Sequence, residues 1–172
     1  MFSASTAFLA KSLRPACVVA LAVLMPLAST QHSAAATAGP FEGMSGSWSG
    51  SGKILMSNGA NERIRCRATY RVAFGGKNLQ QSLKCASDSF NFELQSNVSS
   101  DGESISGSWS ETTRSVAGRI SGRAKGNAIE ALVETAGFSA SLTMVTQGSR
   151  QSVAIKSQRQ EFAGISMTLS RN

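Results

Sequence analysis

The sequence predicts an all-β protein: a single antiparallel up-and-down β-barrel of about 8–10 strands, following an N-terminal signal peptide. Three observations support this fold class. Apolar and polar residues alternate through short segments from the first tryptophan to the C-terminus, as in strands with one buried face. Glycine-containing turn signals separate these segments. No apolar repeat of helical period occurs after residue 40.

The N-terminal region has the features of an export signal. Lys11 and Arg14 form a positive region, and the apolar run 16–28 follows them. This run has 13 residues and contains Pro26, so it is too short to span a bilayer and favours a cleaved signal over a retained anchor. We therefore expect a periplasmic or secreted protein, exported by a Gram-negative type of signal.

Cleavage is expected after Ala36 or after Ala38, since small residues precede both positions. The chain then divides into a signal peptide and leader at 1–38 and a barrel domain at 39–172. Removing two basic residues lowers the formal net charge from +7 to +5. Of the three cysteines, the two that remain in an exported chain are expected to form one disulfide.

Residues 62–87 are predicted to form a hairpin joined by that disulfide. A turn at Gly75-Gly76 places Cys66 directly opposite Cys85 on the buried face. A two-residue loop would make the cysteines a hydrogen-bonded pair. The four-residue loop 74–77 would make them a non-hydrogen-bonded pair, whose side chains lie closer, and we favour this second geometry.

The other strands follow from the same alternation. Asp101-Gly102 predicts a turn that sets Val98 opposite Ile105, and Gly126-Asn127 predicts another turn. A register break near Gly164 predicts a bulge. The inward residues that mark these strands are, in chain order, Trp48, Ile54 and Met56; Phe90, Phe92, Leu94 and Val98; Ile105, Gly107 and Trp109; Val116, Gly118, Ile120 and Gly122; Ile129, Ala131 and Val133; Phe138, Ala140, Leu142 and Met144; Val153 and Ile155; and Phe162, Ile165, Met167 and Leu169.

Short connections favour a barrel over a two-sheet sandwich, because no long Greek-key crossover is evident and closure removes the sheet edges. The outward face is rich in Ser, Thr, Arg and Lys, and aromatic residues make up only 6% of the chain. An outer-membrane barrel would instead have an apolar outer band and aromatic girdles. We therefore expect a barrel that does not span the membrane after signal cleavage.

The inward face mixes large and small residues, which suggests an interior cavity for a small apolar ligand. The alternative is that the glycines bend strands at corners while the aromatic residues fill the centre. An inward Gln is either a polar group of the pocket or a satisfied core amide. The candidate pocket residues are Trp48, Tyr70, Gln81, Phe90, Phe92, Trp109 and Phe138.

A basic stripe lies on the outward face of the cysteine hairpin. Like charges at such short range repel one another, so an anionic surface partner is a candidate ligand, and a solvated exterior is the alternative. Specific nucleic-acid binding is not expected, because no exposed aromatic residues alternate with the arginines. The stripe comprises Arg63, Arg65, Arg67, Arg71 and Lys84.

No catalytic residue, cofactor or metal site is predicted. The mature chain lacks histidine and a free cysteine, which excludes a Ser-His-Asp triad, a Cys-His pair and a histidine-based metal site. Glu93 and Glu111 are the remaining pair that could carry acid–base chemistry. Solvated surface charges are the simpler interpretation of both.

Gly46-Ser47-Trp48 resembles the G-x-W opening of lipocalins and other calycins. The resemblance implies an exported barrel in which Trp48 closes one end and the interior holds a small apolar ligand. This opening, with one early disulfide, is also similar to small periplasmic inhibitors of metalloproteases, and the chain resembles uncharacterised exported proteins of alphaproteobacteria. We therefore expect a non-enzymatic barrel that binds a small apolar or amphipathic ligand. The alternative is a surface-acting binding or inhibitor module for an anionic partner or a protease.

Overall fold

The structure is a computed structural model that describes residues 38–157 and 162–172. The predicted signal peptide therefore lies outside the described residues, apart from Ala38. The described ranges contain strands and turns, in agreement with the all-β prediction. No helix in these ranges is long and apolar enough to cross a membrane.

Ten strands follow one another along the described residues. In β2, buried Ile64, Cys66, Ala68 and Tyr70 alternate with exposed arginine and threonine side chains. The strands are β1 Gly46–Met56, β2 Asn61–Ala73, β3 Asn78–Ala86, β4 Asn91–Asp101, β5 Ser104–Glu111, β6 Val116–Lys125, β7 Ala128–Thr135, β8 Phe138–Gln147, β9 Arg150–Ser157 and β10 Phe162–Arg171.

The strands form one closed antiparallel barrel, in which each strand pairs with the next and β10 pairs with β1. Closure gives both edge strands a partner, and the up-and-down order confirms the predicted topology. The β1–β10 register shifts between Leu55 and Met56, whose partners are Gly164 and Phe162. This bulge confirms the predicted register break near Gly164.

The β2–β3 hairpin has the predicted geometry. Ala73 pairs with Asn78, so the loop is Phe74–Lys77, and Cys66 pairs directly with Cys85. The two cysteines form a disulfide. Their Cα atoms are 4.1 Å apart, closer to the spacing of a non-hydrogen-bonded pair, about 4.5 Å, than to the roughly 5.5 Å of a hydrogen-bonded one.

The β4–β5 hairpin differs from the prediction. Asp101 pairs with Ser104, so the turn is Gly102-Glu103, and Val98 lies opposite Gly107 instead of Ile105. Gly102 has a φ of +59°, which favours glycine at the first position of this turn. The register is displaced by two residues, so each side chain still faces the side that its parity predicts.

The two ends of the barrel differ. We call the end that carries the β2–β3, β4–β5, β6–β7 and β8–β9 turns the closed end, because the N-terminal segment 38–45 packs there. The backbone N–H groups of Gly39 and Phe41 donate to the carbonyl oxygens of Gly75 and Gly76 at 2.7 and 3.0 Å. Phe41 and Met44 are buried in the core, so this segment covers the β2–β3 side of this end, and a concavity of about 420 Å³ remains between it and the β6–β7 and β8–β9 turns.

We call the opposite end, with the β1–β2, β3–β4, β5–β6 and β7–β8 turns, the open end. No described segment packs across it in the way that residues 38–45 cover the closed end. Of the largest fully buried side chains, Trp48, Tyr70, Phe41, Leu169 and Gln151 lie towards the closed end, Cys66 lies near the middle of β2, and Ile64 lies towards the open end. The bulkiest fully buried side chains are therefore concentrated towards the closed end.

Candidate functional site

Trp48 lies at the closed end with none of its surface exposed. Its indole Nε1 donates a hydrogen bond of 2.9 Å to the carbonyl oxygen of Met44. The ring meets Tyr70 edge-on, with centroids 6.2 Å apart, and the guanidinium of Arg171 lies 4.8 Å from the ring centroid. These contacts hold the indole in place, so Trp48 occupies the closing position that the G-x-W resemblance implies.

Tyr70 begins a chain of buried side-chain hydrogen bonds that runs through Gln151 to Thr146. Its hydroxyl donates to Oε1 of Gln151 at 2.7 Å, and Nε2 of Gln151 donates to Oγ1 of Thr146 at 3.1 Å. Burial raises the pKa of the Tyr70 hydroxyl well above its ordinary value, although the hydrogen bond to Gln151 acts in the opposite direction. Sequence analysis missed Gln151; its alternation with Val153 and Ile155 is the signal that could have found it.

The open half of the barrel, towards the open end, is lined differently. Phe90, Phe92, Trp109 and Phe138 are all half-buried there. Phe138 and Phe162 form a tilted ring pair with centroids 6.3 Å apart. Other inward residues of this half are also only half-buried, among them Leu94, Val116, Ile120, Ala131 and Val133. These positions face inward yet keep accessible surface, whereas Ile54 and Ile64 in the same half are buried.

A polar row connects the two halves. Tyr70, Gln81, Ser96 and Trp109 lie directly opposite one another on β2, β3, β4 and β5. The hydroxyl of Ser96, itself only 7% exposed, donates to Oε1 of Gln81 at 3.0 Å. Gln81 is thus a half-buried inward amide whose oxygen already accepts a hydrogen bond. It has a feature of each predicted role, since a satisfied core amide has such a bond and a pocket residue keeps some accessible surface.

Trp109 stands out in this row because its indole N–H has no acceptor. Nε1 of Trp109 is the buried side-chain nitrogen without a hydrogen-bond partner among the described residues. It packs against Gly118, directly opposite on β6; a Cβ at Gly118 would lie 2.7 Å from it. Buried donors in native proteins are normally paired, so this one requires an explanation.

Five inward glycines explain the curvature of the wall. A Cβ at any of these positions would overlap a backbone carbonyl oxygen of the adjacent strand, so only glycine permits the close approach. This finding supports the prediction that the glycines bend the strands at corners of the barrel. It gives no support to the alternative that they create space for a ligand. The glycines and the oxygens are Gly50 with Thr168, Gly52 with Ser166, Gly107 with Asn97, Gly118 with Glu134 and Gly122 with Glu130.

Glu111 is a buried carboxylate that orders the β5–β6 turn at the open end. Its oxygens accept hydrogen bonds from the backbone N–H groups of Glu93, Thr113 and Arg114 at 3.1, 3.1 and 2.7 Å. Burial is the largest single influence and acts to raise the pKa of Glu111. The hydrogen bonds from Thr113, Glu93 and Arg114 together outweigh it, so the pKa lies below its ordinary value of 4.5.

The interpretation as a solvated surface charge fits Glu93 but is wrong for Glu111, which is only 7% exposed. Glu93 pairs with Lys84 on the outer face at 2.9 Å. The carboxylate of Glu111 accepts from the backbone of β4 and of the β5–β6 turn, and the guanidinium of Arg114 lies 3.8 Å from it. In residues 38–157 and 162–172, no three His, Cys, Asp or Glu side chains lie close enough together to hold a metal ion. The absence of catalysis stays a prediction.

The structure brings part of the basic stripe together in an outer groove. Arg65, Arg67 and Lys84 line a concavity of about 620 Å³ on the outside of β1–β4. Arg63 lies further along β2, opposite Lys53. Arg71, opposite Gln80, lies towards the closed end. Only the middle of the predicted stripe therefore belongs to the groove.

Comparison with known proteins finds likeness in fold only. No protein-family model matches the chain, and no curated protein sequence matches it. The crystal structure of Rv2717c from M. tuberculosis is similar with a TM-score of 0.60 and 10% identity, over 76% of this chain and 94% of that one. The S-type phycobiliprotein lyase CPES from Guillardia theta is similar with a TM-score of 0.52 and 13% identity, over 77% and 90% of the two chains.

Proposed function

We propose that this protein is a non-enzymatic, exported, calycin-like barrel that binds a small apolar or amphipathic ligand in the open half of its interior. The observation that carries the proposal is a difference in aromatic burial between the two ends: Trp48 and Tyr70 are fully buried towards the closed end, whereas Phe92, Trp109 and Phe138 are half-buried towards the open end, where Ile54 and Ile64 are also buried. Barrels of eight or more strands can hold one small ligand. The open end is the route by which such a ligand would enter.

The lining indicates the chemistry of the ligand. Phe92 and Phe138 provide aromatic surface, which suits an apolar or planar body. Trp109 provides a donor, so the ligand should also carry an acceptor such as a carbonyl, an ether or a carboxylate. Because Nε1 is buried against Gly118, this contact requires the indole to change its orientation when the ligand binds.

The similarity to Rv2717c and to the lyase supports the scaffold part of the proposal. Since one of these proteins is named a lyase, the non-enzymatic role of this chain is argued from its own residues. Glu93 is ion-paired on the outer face, and Glu111 already accepts three backbone hydrogen bonds. A carboxylate occupied in this way is poorly placed to exchange a proton with a substrate.

A ligand in the open half should change the environment of Trp109 and leave that of Trp48 unchanged. The chain has two tryptophans, so protein labelled with 5-fluorotryptophan should give two ¹⁹F signals, which a Trp109→Phe variant assigns. Titration with dodecanoic acid should shift the Trp109 signal and leave the Trp48 signal unchanged. Native mass spectrometry after mild purification should show a bound lipid-like mass. No bound mass together with two unmoved signals would contradict the proposal, and so would a shift of Trp48 alone.

Export is supported by the signal-like N-terminal sequence and by the disulfide, since such bonds persist in oxidising compartments. Expression of the full chain in a Gram-negative host, followed by mass measurement of the periplasmic protein, tests this part. We expect a mature chain that begins at residue 37 or residue 39, with Cys66 and Cys85 oxidised. A full-length, reduced protein confined to the cytoplasm would contradict export without affecting the proposal of ligand binding.

A further inference from the structure

The outer groove lies on the outside of the barrel wall, across β1–β4. Four of its lining residues face the barrel interior and lie directly opposite one another on β1, β2, β3 and β4, namely Gly50, Cys66, Cys85 and Phe92. The disulfide joins the two central positions of this row. The groove therefore crosses the strands at the level of the disulfide.

Two rows of outward side chains form the walls of the groove. One row consists of Ser49, Arg67, Lys84 and Glu93, each directly opposite the next. The other row contains Arg65, Ala86 and Asn91. Thr113, from the β5–β6 turn, also lines the groove. Two short side chains, Ser49 and Ala86, leave the space between the long basic ones unfilled.

The charges in the groove are unbalanced. Lys84 pairs with Glu93 at 2.9 Å, but neither Arg65 nor Arg67 forms a hydrogen bond or an ion pair with any described residue. Arg67 also lies directly opposite Lys84, an arrangement of like charges that destabilises a sheet. Three cations and one carboxylate leave a net charge of +2 on the lining. A bound anion would reduce the repulsion between Arg67 and Lys84.

We propose that the outer groove binds a soluble ligand that carries linked phosphate groups. Arg65 and Arg67 lie on one face of β2, two residues or about 6.6 Å apart. Guanidinium groups at this spacing can converge on neighbouring phosphates, to which arginine donates in a bidentate manner. Asn91 and Thr113 add neutral hydrogen-bonding groups. The concave shape suits a small ligand better than a flat lipid surface, and the site does not depend on what the barrel interior binds.

Calorimetric titration with sodium pyrophosphate at low ionic strength tests the proposal. The wild-type protein should bind, and added salt should weaken the binding because the arginines are exposed. The Arg65→Gln/Arg67→Gln variant should bind about tenfold more weakly or worse, since it loses the charged donors. The matched control is Arg63→Gln/Arg71→Gln, which removes two charges from the same face of the same strand outside the groove. Its affinity should stay within about threefold of that of wild type.

Three outcomes would overturn the proposal. The first is no detectable binding of pyrophosphate by the wild-type protein. The second is an equal loss of affinity in the two double variants, which would indicate attraction to net charge alone. The third is binding to phosphatidylglycerol vesicles without binding to pyrophosphate, which would assign the surface to lipid headgroups. Circular dichroism melting of each variant should show a wild-type-like fold, so that a loss of affinity is attributable to the groove.

Discussion

Trp48 and Trp109 lie in the same short sequence pattern and have opposite environments. Residues 44–49 and 105–110 both run apolar-Ser-Gly-Ser-Trp-Ser. Trp48 is fully buried and its N–H binds Met44, four residues earlier. Trp109 is half-buried and its N–H has no acceptor among the described residues. The same pattern thus produces a closing residue at one end of the barrel and an unsatisfied one towards the other end.

The difference comes from what precedes each tryptophan. Gly46 has a φ of +122° and begins β1, so the chain turns before it and brings the carbonyl oxygen of Met44 to the indole. Gly107 lies inside β5, whose backbone runs on through Ile105 and pairs with its neighbours. The carbonyl group of Ile105 is therefore part of a continuous strand. A local sequence pattern sets which face a side chain occupies, whereas the preceding backbone decides whether its polar atom is satisfied.

Replacement of each tryptophan by alanine should give the largest difference in stability between the two ends of the barrel. Trp48→Ala should lower the free energy of unfolding by about 3–5 kcal/mol, because it removes a buried ring and its hydrogen bond. Trp109→Ala should cost only about 1–2 kcal/mol, because less area is lost and no hydrogen bond is broken. Urea denaturation monitored by circular dichroism measures both. Equal losses would mean that the ends are packed alike.

Loss of the disulfide should be the next largest effect. The bond closes a loop with a sequence separation of 19, so the Cys66→Ala/Cys85→Ala variant should be less stable by about 3 kcal/mol. Reductant should lower the melting temperature of the wild-type protein and leave that of the variant unchanged. If reductant does not affect the wild type, the bond contributes nothing to stability.

The carboxylate that orders the open-end turn should make stability depend on pH. The folded-state pKa of Glu111 is lowered, so its contribution is present above the ordinary value of 4.5 and is lost as the pH falls through the lower folded-state pKa. Glu111→Gln should cost about 1–2 kcal/mol at neutral pH, and the difference from wild type should shrink on acidification. Urea denaturation at a series of pH values measures this.

The control for Glu111 is Glu93→Gln, whose exposed ion pair with Lys84 should contribute less than about 1 kcal/mol. An effect of Glu93→Gln as large as that of Glu111→Gln would argue against a special role for the buried carboxylate. A difference between Glu111→Gln and wild type that grows on acidification would have the wrong sign for a lowered pKa.

The smallest expected difference in stability is between variants of two hydroxyls, those of Tyr70 and Ser96, each of which donates to a glutamine oxygen. Tyr70→Phe breaks a fully buried hydrogen bond to Gln151 at the closed end and should cost about 1–2 kcal/mol. Ser96→Ala breaks the bond to Gln81 beside the half-buried residues, where water can replace it, and should cost about 0.5 kcal/mol. Thermal denaturation of both variants measures the difference. A larger loss for Ser96→Ala would reverse the proposed order of the two ends.

Much of the fold could be predicted because strand parity and turn residues are local properties of the sequence. The Cys66–Cys85 pairing, the loop 74–77 and the bulge near Gly164 all follow from them. The β4–β5 register could not be assigned from Asp101-Gly102 alone, since a Gly at either position of a two-residue loop fits a hairpin turn. Because the predicted register is wrong by two residues, an even number, the inward and outward faces of β4 and β5 were still predicted correctly.

The candidate site was less predictable, because it depends on contacts between residues distant in the chain. Sequence parity placed Trp48, Tyr70, Phe92 and Trp109 inward, but it could not show that the first two are sealed and the last two are half-buried. That distinction depends on the segment 38–45, which packs at only one end, and on contacts of Trp48 and Tyr70 with Arg171 and Gln151. The outer groove likewise depends on four strands in register, whereas the sequence showed only the stripe on one of them.

The hydrogen exchange of the two indole N–H groups tests the contrast between the ends most directly. Both can be followed in a single ¹H–¹⁵N spectrum after transfer of the protein into D₂O, with Trp109→Phe to assign the signals. We expect the Trp48 signal to persist long after the Trp109 signal has disappeared, because only Trp48 is both fully buried and hydrogen-bonded. Equal rates, or slower exchange at Trp109, would contradict the difference between the closed end and the open end.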